Sequence, residues 1–485
     1  MTHRLRETAN AEEVRQLLER LRDERIERVR VAWCDLHGVF RGKTLMPHAV
    51  ADALAQGVGM VSTLMLKDTS DRTAYQVFEP GGLNELEGFG FANNLLLHPE
   101  PASFRVLPWA QGTAWMQGRL THADGTPVAI DPRQVLHLAV ERLRRAGFGL
   151  KCGLEVEFHI YRIDDARLDA ALAGWPGEPP AVSLIHPGYM LLGEGHADLA
   201  DDALRIVQHT ALGLGLPLRS LEIELGPSQV EAVFDATDAL QAADQMALFR
   251  NGVKQALRRA GYHASFMCLP PFPNVMASGW HLHHSLVELA NGRHVFMRHQ
   301  PAAASLETNA AHTLSDTGEA WLAGLLGHAR GMAAFCTTTV NGYGRFKPNT
   351  MAPMAALWGR DNRGAMLRVL GGAGDAATRI ENRLGEPAAN PYLYIAAQIH
   401  AGLDGVERGL RAPPATASPY ADTAPALPTS LGEALDALAA DAQLCAAFGT
   451  ELVHCWTSIK RREQSRFDAA TDKLDWQRRE YFSRF

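Results

Sequence analysis

Within residues 12–25 the apolar positions Val14, Leu17, Leu18 and Leu21 recur at helical spacing, which predicts a short amphipathic helix. Over 26–47 the period drops to two. Val29, Val31 and Trp33 alternate with polar neighbours and Asp35-Leu36-His37-Gly38 supplies a turn, so this stretch reads as a hairpin. Up to about Trp109 the pattern stays short, mixed and rich in Gly and Pro, a small α+β unit with loops. Asp124-Gly125 marks another turn, and Asp131-Pro132 caps a helix over 133–146. From Gly149 onward strand and helix signals alternate, with helices predicted over 201–214, 236–260, 320–337 and 391–408. The Pro- and Ala-rich stretch 412–428 reads as a surface loop, and helices over 431–448 and 450–466 close the chain.

Four segments combine charge with strand periodicity. Glu155-Val156-Glu157-Phe158-His159-Ile160, Leu221-Glu222-Ile223-Glu224-Leu225 and Trp280-His281-Leu282-His283 alternate polar with apolar residues. Arg379-Ile380-Glu381-Asn382-Arg383 is the fourth. Residues i and i+2 of a strand point to one face, so each segment sets carboxylates, imidazoles or guanidinium groups in a row. A solvated strand face is the plain alternative, but such faces mix in Lys, Thr, Ser and Gln. Here the set is almost wholly Glu, His and Arg in a chain with only 21% charged residues. Four such strands point to one concave polar face around a shared site.

Composition excludes several function classes. The 485 residues carry 47 Lys and Arg against 54 Asp and Glu, a net charge of −7, which argues against a basic nucleic-acid-binding stripe. The chain has no run of eighteen or more apolar residues of the kind that spans a membrane, and Met1-Thr2-His3-Arg4-Leu5-Arg6 lacks the apolar core of a signal peptide. The six cysteines (Cys34, Cys152, Cys268, Cys336, Cys445, Cys455) form no CxxC pair, and they read as reduced thiols of a cytoplasmic protein.

Glu155, Glu157, Glu224, Glu231 and Glu381 on one face would repel one another unless neutralised. Divalent cations neutralise them, and oxygen-rich ligands with an imidazole suit Mg²⁺ or Mn²⁺ better than zinc. Arg379 and Arg383 offer planar donors to phosphate and carboxylate oxygens. Hard metals plus several arginines are the equipment of phosphoryl transfer. The usual phosphate loop is absent. Gly38-Val39-Phe40-Arg41-Gly42-Lys43-Thr44 has one residue too few between its glycines, and Gly371-Gly372-Ala373-Gly374 fails the dinucleotide fingerprint.

These segments, in order, resemble the glutamine synthetase family. Gly153-Leu154-Glu155-Val156-Glu157-Phe158 is similar to its G-x-E-x-E-F strand, and Glu224-Leu225-Gly226-Pro227-Ser228-Gln229-Val230-Glu231 to its E-x-x-P-G-Q-x-E segment. Ser278-Gly279-Trp280-His281-Leu282-His283-His284-Ser285 resembles S-G-x-H-x-H-x-S, and Asn341-Gly342-Tyr343-Gly344-Arg345 resembles N-S-Y-K-R. Asp361-Asn362-Arg363 with Arg368, then Arg379-Ile380-Glu381-Asn382-Arg383 and Ala389-Asn390-Pro391-Tyr392-Leu393, complete the series. The resemblance runs from about Arg30 to Glu407.

The resemblance implies an α+β fold with an N-terminal helix over 1–25, a β-grasp domain over 26–112 and a catalytic domain over 113–485 built on a curved antiparallel sheet. It implies an ATP-dependent ligase that phosphorylates the γ-carboxylate of glutamate and lets an amine displace the phosphate. By position, Glu157, Glu224 and Glu231 would hold one Mg²⁺ or Mn²⁺ ion, and Glu155, His281 and Glu381 a second. Arg345 and Arg383 would grip substrate carboxylate and acyl phosphate, with Glu157 and His281 beside the substrate. His283, Ser285, Arg363, Arg368 and Arg379 would face ATP. Asp68 or Asp71, in the faint counterpart Asp68-Thr69-Ser70-Asp71 of the D-G-S-S element, would complete a neighbouring subunit's amine site. Family members assemble as double-ringed homo-oligomers (a dodecamer is expected) with sites between subunits.

The departures concern the amine. The family's flap glutamate, six residues after the position of Arg345, is Met351 here, within Arg345-Phe346-Lys347-Pro348-Asn349-Thr350-Met351-Ala352-Pro353. The N-G before S-G-x-H is Met276-Ala277, the upstream K-P is Leu269-Pro270, and the His-His pair before Glu224 is Glu222-Ile223. Tyr189 is expected to line the amine pocket. Ammonium wants negative neighbours and a base, whereas a bulkier amine wants room and hydrocarbon. The expectation is therefore a γ-glutamyl-amide ligase for an alkyl, polyamine or aromatic amine. Glutamine synthetase itself and an inactive regulatory member remain alternatives, the latter opposed by six filled metal positions. Tyr420, in the Pro- and Ala-rich loop, is left without a necessary role.

Overall fold

The hairpin forms as β1 (Arg28–Cys34) and β2 (Phe40–Leu45) in the computed structural model of the chain, which describes residues 11–83 and 86–485. Before it, α1 (Ala11–Asp23) buries Leu17 and Leu21, as its apolar stripe requires; residues 1–10 of the expected N-terminal unit lie outside the described residues. Next come α2 (Val50–Gln56), β3 (Val58–Val61), β4 (Asn94–Pro99), β5 (Arg105–Val106) and β6 (Thr113–Thr121). The strands make one sheet in the order β2-β1-β6-β4-β3, with β5 on β6. Its first strand pairs in parallel with its last, the β-grasp arrangement, while the other pairs are antiparallel.

The larger part begins with α3 (Pro132–Arg145), where Asp131 accepts the Arg133 N–H at 3.1 Å and Pro132 takes the first helical position. There follow β7 (Phe148–Asp165), β8 (Ala181–Leu184), α4 (Glu194–Gly213), β9 (Leu218–Ile223), β10 (Gln229–Asp238), α5 (Ala239–Arg259), β11 (Tyr262–Ser265) and β12 (Trp280–Glu288). Then come α6 (Asp316–Gly327), α7 (Ala329–Cys336), β13 (Trp358–Arg360), β14 (Leu367–Leu370), β15 (Arg379–Asn382) and α8 (Pro391–Glu407). The nine strands form a sheet ordered β13-β14-β15-β12-β7-β10-β9, with β11 and β8 on the far part of β7. Every pair is antiparallel except β13 with β14. The fold is α+β.

Two expected helices are each broken in two. The 320–337 pattern divides into α6 and α7 at His328, and the 431–448 pattern into α9 (Leu431–Ala440) and α10 (Ala442–Phe448) at Asp441. The breaks touch each other. One Asp441 oxygen accepts the Leu444 N–H and caps α10, and the other lies 2.7 Å from His328 Nδ1, while Asp404 meets Nε2 at 3.0 Å. Apolar periodicity runs through both sites, but a side chain that caps the backbone competes with helix continuation. The expected 201–214 helix starts earlier, at Glu194. After α11 (Thr450–Ala469) the chain adds α12 (Lys473–Tyr481), capped by Asp472, where no helix was anticipated.

The two parts interlock beside the large sheet. Buried Arg250 of α5 donates to Gly38 O at the hairpin tip (2.6 Å) and to Pro387 O and Ala389 O (2.8 and 3.1 Å). Asn390, which caps α8, donates to Asp35 O and Leu36 O. Buried amides and guanidinium groups thus satisfy turn carbonyls that would otherwise lose water without compensation.

Candidate active site

Strand β7 is the axis of the site. Its register on β10 sets Glu157 opposite Glu231, and on β12 it sets Glu155 opposite His281. Glu222 of β9 lies opposite Glu231, Glu381 of β15 opposite His283, and Arg368 of β14 opposite Glu381. Directly opposed residues share a sheet face, so all the charged side chains of the four segments emerge together. The intervening Leu154, Val156, Phe158, Trp280, Leu282 and Ile380 are buried on the other side.

Three overlapping groups of ligand atoms result, each within 4.8 Å of one another: Glu157 with Glu224 and Glu231, Glu155 with Glu231 and His281, and Glu155 with His283 and Glu381. The first is the expected set. In the others the imidazoles trade places. His283 joins Glu155 and Glu381, while His281 lies 3.8 Å from Glu155 and 3.7 Å from Glu381. His283, expected beside the nucleotide, therefore stands among the ligand candidates.

The electrostatics are those of a face built for cations. Burial, reinforced by the charge of Glu224, pushes Glu157 up to about 8. Burial and the Glu155 and Glu157 charges push Glu231 up to about 11, and Glu224 is also raised, by burial first. Burial disfavours the Glu381 carboxylate too, but His281 and Arg383 beside it hold it down to about 2. Glu155 is likewise held low, its burial outweighed by His281 and His283. Burial and Arg383 push His281 down to about 4, and its buried Nδ1 has no hydrogen-bond partner. Crowded acids forced to keep protons, beside an orphaned imidazole nitrogen, fit a hard divalent cation bound by oxygen with one imidazole.

Gln229 organises this edge. Its amide accepts the Gly226 N–H at 2.9 Å and donates to Glu157 Oε2 (3.2 Å), Ala277 O (3.2 Å) and Ser278 Oγ (3.0 Å). The Gly279 N–H gives Glu157 Oε2 a second bond at 2.8 Å. Arg379 Nε donates to His283 Nδ1 at 3.2 Å, which leaves the His283 proton on Nε2 facing Glu155 Oε2 at 2.7 Å.

The arginines line the opposite rim. Arg345 is buried, its Nη1 donating to Arg383 O (2.9 Å) and Gly385 O (3.3 Å), with Nη2 3.4 Å from His281 Nε2. Arg383 pairs with Glu381 and gives its Nη2 to Met351 O at 3.2 Å. Arg368 joins Glu381 Oε2 (2.9 Å) to Asp361 Oδ1 (3.0 Å). Met351 is half-exposed and has φ 54°, which turns its carbonyl toward Arg383. Tyr189, also exposed at φ 60°, donates its amide to Leu225 O at 2.6 Å and its hydroxyl to Asn274 O at 2.5 Å, beside the Glu224 turn. Ser285 follows His283 on the same strand face and is half-buried.

Two expected residues stand apart. Arg363 is exposed in the turn after β13, without a contact to the cluster. Asp68 is fully buried inside its own chain: one oxygen accepts the Ser70 and Arg72 N–H groups, and the other lies 3.3 Å from Arg466 and 3.5 Å from Arg462. A carboxylate consumed by its own turn and the C-terminal helix has no free face for a neighbour. Asp71, whose side chain is 45% exposed and meets Arg41 at 2.6 Å, is the accessible one of the pair. Sequence reasoning assigned nothing to Gln229, Asp361 or Glu386. Gln229 sat inside a quoted motif. Glu386, buried on the Thr338 and Thr339 N–H groups (2.5 and 2.6 Å), holds the segment before Arg345 to the segment after Arg383, and no periodic signal marks it.

Comparison with known proteins gives the family and the fold. The family described as "Glutamine synthetase, catalytic domain" matches residues 129–481. The chain is 37% identical over 475 residues to a γ-glutamylanilide synthase of Acinetobacter sp, covering 94% of this chain and 93% of the relative. It is 30% identical over 466 residues to a γ-glutamylethanolamide synthetase of Streptomyces coelicolor, covering 95% and 93%. Among solved structures, one described as apo GmaS without ligand superimposes with a TM-score of 0.76 at 28% identity, covering 96% of this chain and 98% of that one.

Proposed function

The chain belongs to the glutamine synthetase family, and on that premise we propose that it joins the γ-carboxylate of glutamate to an amine larger than ammonia, at the expense of ATP. The observation that carries the amine is the 346–353 segment over Arg383. It holds no carboxylate, and a main-chain carbonyl from Met351 faces the guanidinium instead. Two of the apolar departures stand at separate points, one beside the Glu224 turn and one beside Arg345. Met276 packs where a side chain at Gly226 would stand, and Leu269 closes against Gly344. The names of the anilide and ethanolamide relatives support the same substrate class.

Mg²⁺ or Mn²⁺, held by Glu157, Glu224 and Glu231 and by Glu155, Glu381 and an imidazole, would supply charge neutralisation to the transferring phosphoryl group. The chain's own residues do the rest. Arg379 and Arg368, fixed by His283 and by Glu381 with Asp361, face the triphosphate as pre-aligned donors. Arg345, immobilised by two carbonyls, presents its remaining donors beside His281 to the glutamate carboxylate. Arg383 faces the γ-glutamyl phosphate. A bulkier amine needs room and hydrocarbon at its side, and a weakly basic aromatic amine reaches the acyl carbon neutral, with no need of a flap carboxylate to take its proton.

Association into a double ring with sites between subunits is part of this reading, supported by the exposed apolar stretch Tyr189, Met190, Leu191 and Leu192 at the rim of the site. Six unpaired thiols, five of them buried, support a reducing compartment, the cytoplasm. The decisive experiment measures phosphate release with glutamate, ATP and Mg²⁺ against ammonia, alkylamines, polyamines and anilines. Turnover with a larger amine well above ammonia is expected. Ammonia as the best substrate would make the chain a glutamine synthetase, and silence with every amine would make it an inactive member.

A further inference from the structure

The Pro- and Ala-rich stretch 412–428, anticipated as a plain surface loop, runs along the site as a strap. Thr416 N donates to Trp358 O at 2.9 Å, and Asn362 Nδ2 reaches Thr416 O at 3.4 Å, tying one end to the turn that leads to Arg368. At the other end Ala356 N donates to Pro425 O (2.9 Å) and Leu427 N to Met354 O (3.0 Å), tying it to the chain just beyond the 346–353 flap. Between these ties stands Tyr420. Its ring lies against Gly364, so close that a Cβ there would meet ring carbons at 3.2 and 3.4 Å, and its hydroxyl donates to Ala352 O at 3.2 Å. The neighbouring carbonyl, of Met351, accepts from Arg383. The flap crest is therefore held by two donors, one from the reaction site and one from the strap.

We propose that Tyr420 is a positioning residue that latches the flap over the Arg345 and Arg383 rim, and that its hydroxyl keeps water from the acyl phosphate while the amine arrives. The two bonds differ in what substrate does to them. A glutamate carboxylate or acyl phosphate competes with the Met351 carbonyl for Arg383, whereas the Tyr420 bond runs to the Ala352 carbonyl and does not depend on that guanidinium. Tyr420 thus holds the crest at the moment when Arg383 lets go. The consequence for chemistry, which rests on the ligase reading above, concerns a side reaction. Water adds to the γ-carbonyl carbon of γ-glutamyl phosphate, the bond from that carbon to the phosphate oxygen breaks, and glutamate and inorganic phosphate leave with ATP spent and no amide formed. A latched flap suppresses this.

Tyr420→Phe removes the hydroxyl and keeps the ring on Gly364. In the full-length protein without ligands, the Thr350, Met351 and Ala352 amides are expected to exchange with solvent about threefold to tenfold faster, the loss of one hydrogen bond, with the rest of the chain unchanged. In turnover, the share of ADP not matched by amide rises several-fold while the KM for ATP holds within twofold, a split that a general loss of structure does not produce. Unchanged exchange at the flap overturns the latch. Faster exchange with an unchanged amide-to-ADP ratio overturns its role in excluding water. A chain that turns over no amine defeats the reading of the previous section, and the exchange measurement then decides the latch alone.

Discussion

Glu231→Gln separates metal binding from folding more cleanly than any other change at the site. Glu231 sits in two of the three ligand groups, and burial with the Glu155 and Glu157 charges lifts it to about 11. At pH 7.5 the metal-free protein therefore carries it as a neutral acid, which Gln copies in shape and charge. The metal-free Tm is expected to stay within about 1 °C, because neither a charge nor a packed volume changes. Mg²⁺ at 100 times its Kd stabilises the native protein by about 2.7 kcal/mol. Spread over 485 residues at roughly 2.1 cal/mol/K per residue, that is about 1 kcal/mol per degree, so a rise of about 3 °C. The Gln variant, with a neutral amide at the centre, should rise by less than about 1 °C. Scanning fluorimetry in chelator and in saturating Mg²⁺ reads both values. A metal-free Tm several degrees lower would mean that Glu231 is ionised and paired in the native protein, and a full Mg²⁺ shift in the variant would mean it is no ligand. Either result refutes the reasoning.

The pH dependence has a definite sign. Glu157 and Glu231 are raised, to about 8 and about 11, so their contribution to the metal-free fold is lost as pH climbs through those values. Between pH 7 and 9, above the histidine range, the metal-free Tm should fall while the Mg²⁺-saturated Tm holds, and calorimetry in two buffers should show protons released on binding. Met351→Glu returns a carboxylate to the flap and should raise the ratio of ammonia to larger-amine kcat/KM about tenfold or more; no change in that ratio removes Met351 from amine selection. Arg383→Lys keeps the charge but loses the fork that serves Glu381 and Met351 O together, so kcat should drop roughly a hundredfold at near-native Tm. Asp68→Asn should act on stability and not on the amine: it uncharges the carboxylate buried beside Arg462 and Arg466, and a loss of about 2 kcal/mol with unaltered amine KM is expected by denaturant unfolding.

Much of the site was legible because its logic is periodic. A strand displays i and i+2 on one face, so Glu155 with Glu157, His281 with His283 and Arg379 with Glu381 and Arg383 announced a charged face without knowledge of the fold. The hairpin and the Asp131-Pro132 helix start were legible for the same local reason. Gln229 and Glu386 were not, because each acts through groups brought by other segments: Gln229 by bonding Glu157, Ala277 and Ser278, Glu386 by clamping the Thr338 and Thr339 amides. The breaks at His328 and Asp441 were hidden in the same way, since each residue interrupts its helix only in the other's company.

By itself, then, the sequence determined which side chains share a face, their charge and the need for cations to neutralise them, since alternation and composition act over a few residues. Tertiary structure alone decided the rest. It set Glu157 against Glu231 and Glu155 against His281 through strand register, closed Asp68 into its own chain and left Asp71 partly open, and laid Tyr420 against the flap some seventy residues away in sequence. Register, burial and long-range hydrogen bonds depend on the whole chain collapsing to one arrangement, because each local segment can satisfy its own period in many registers and only packing against the others selects one.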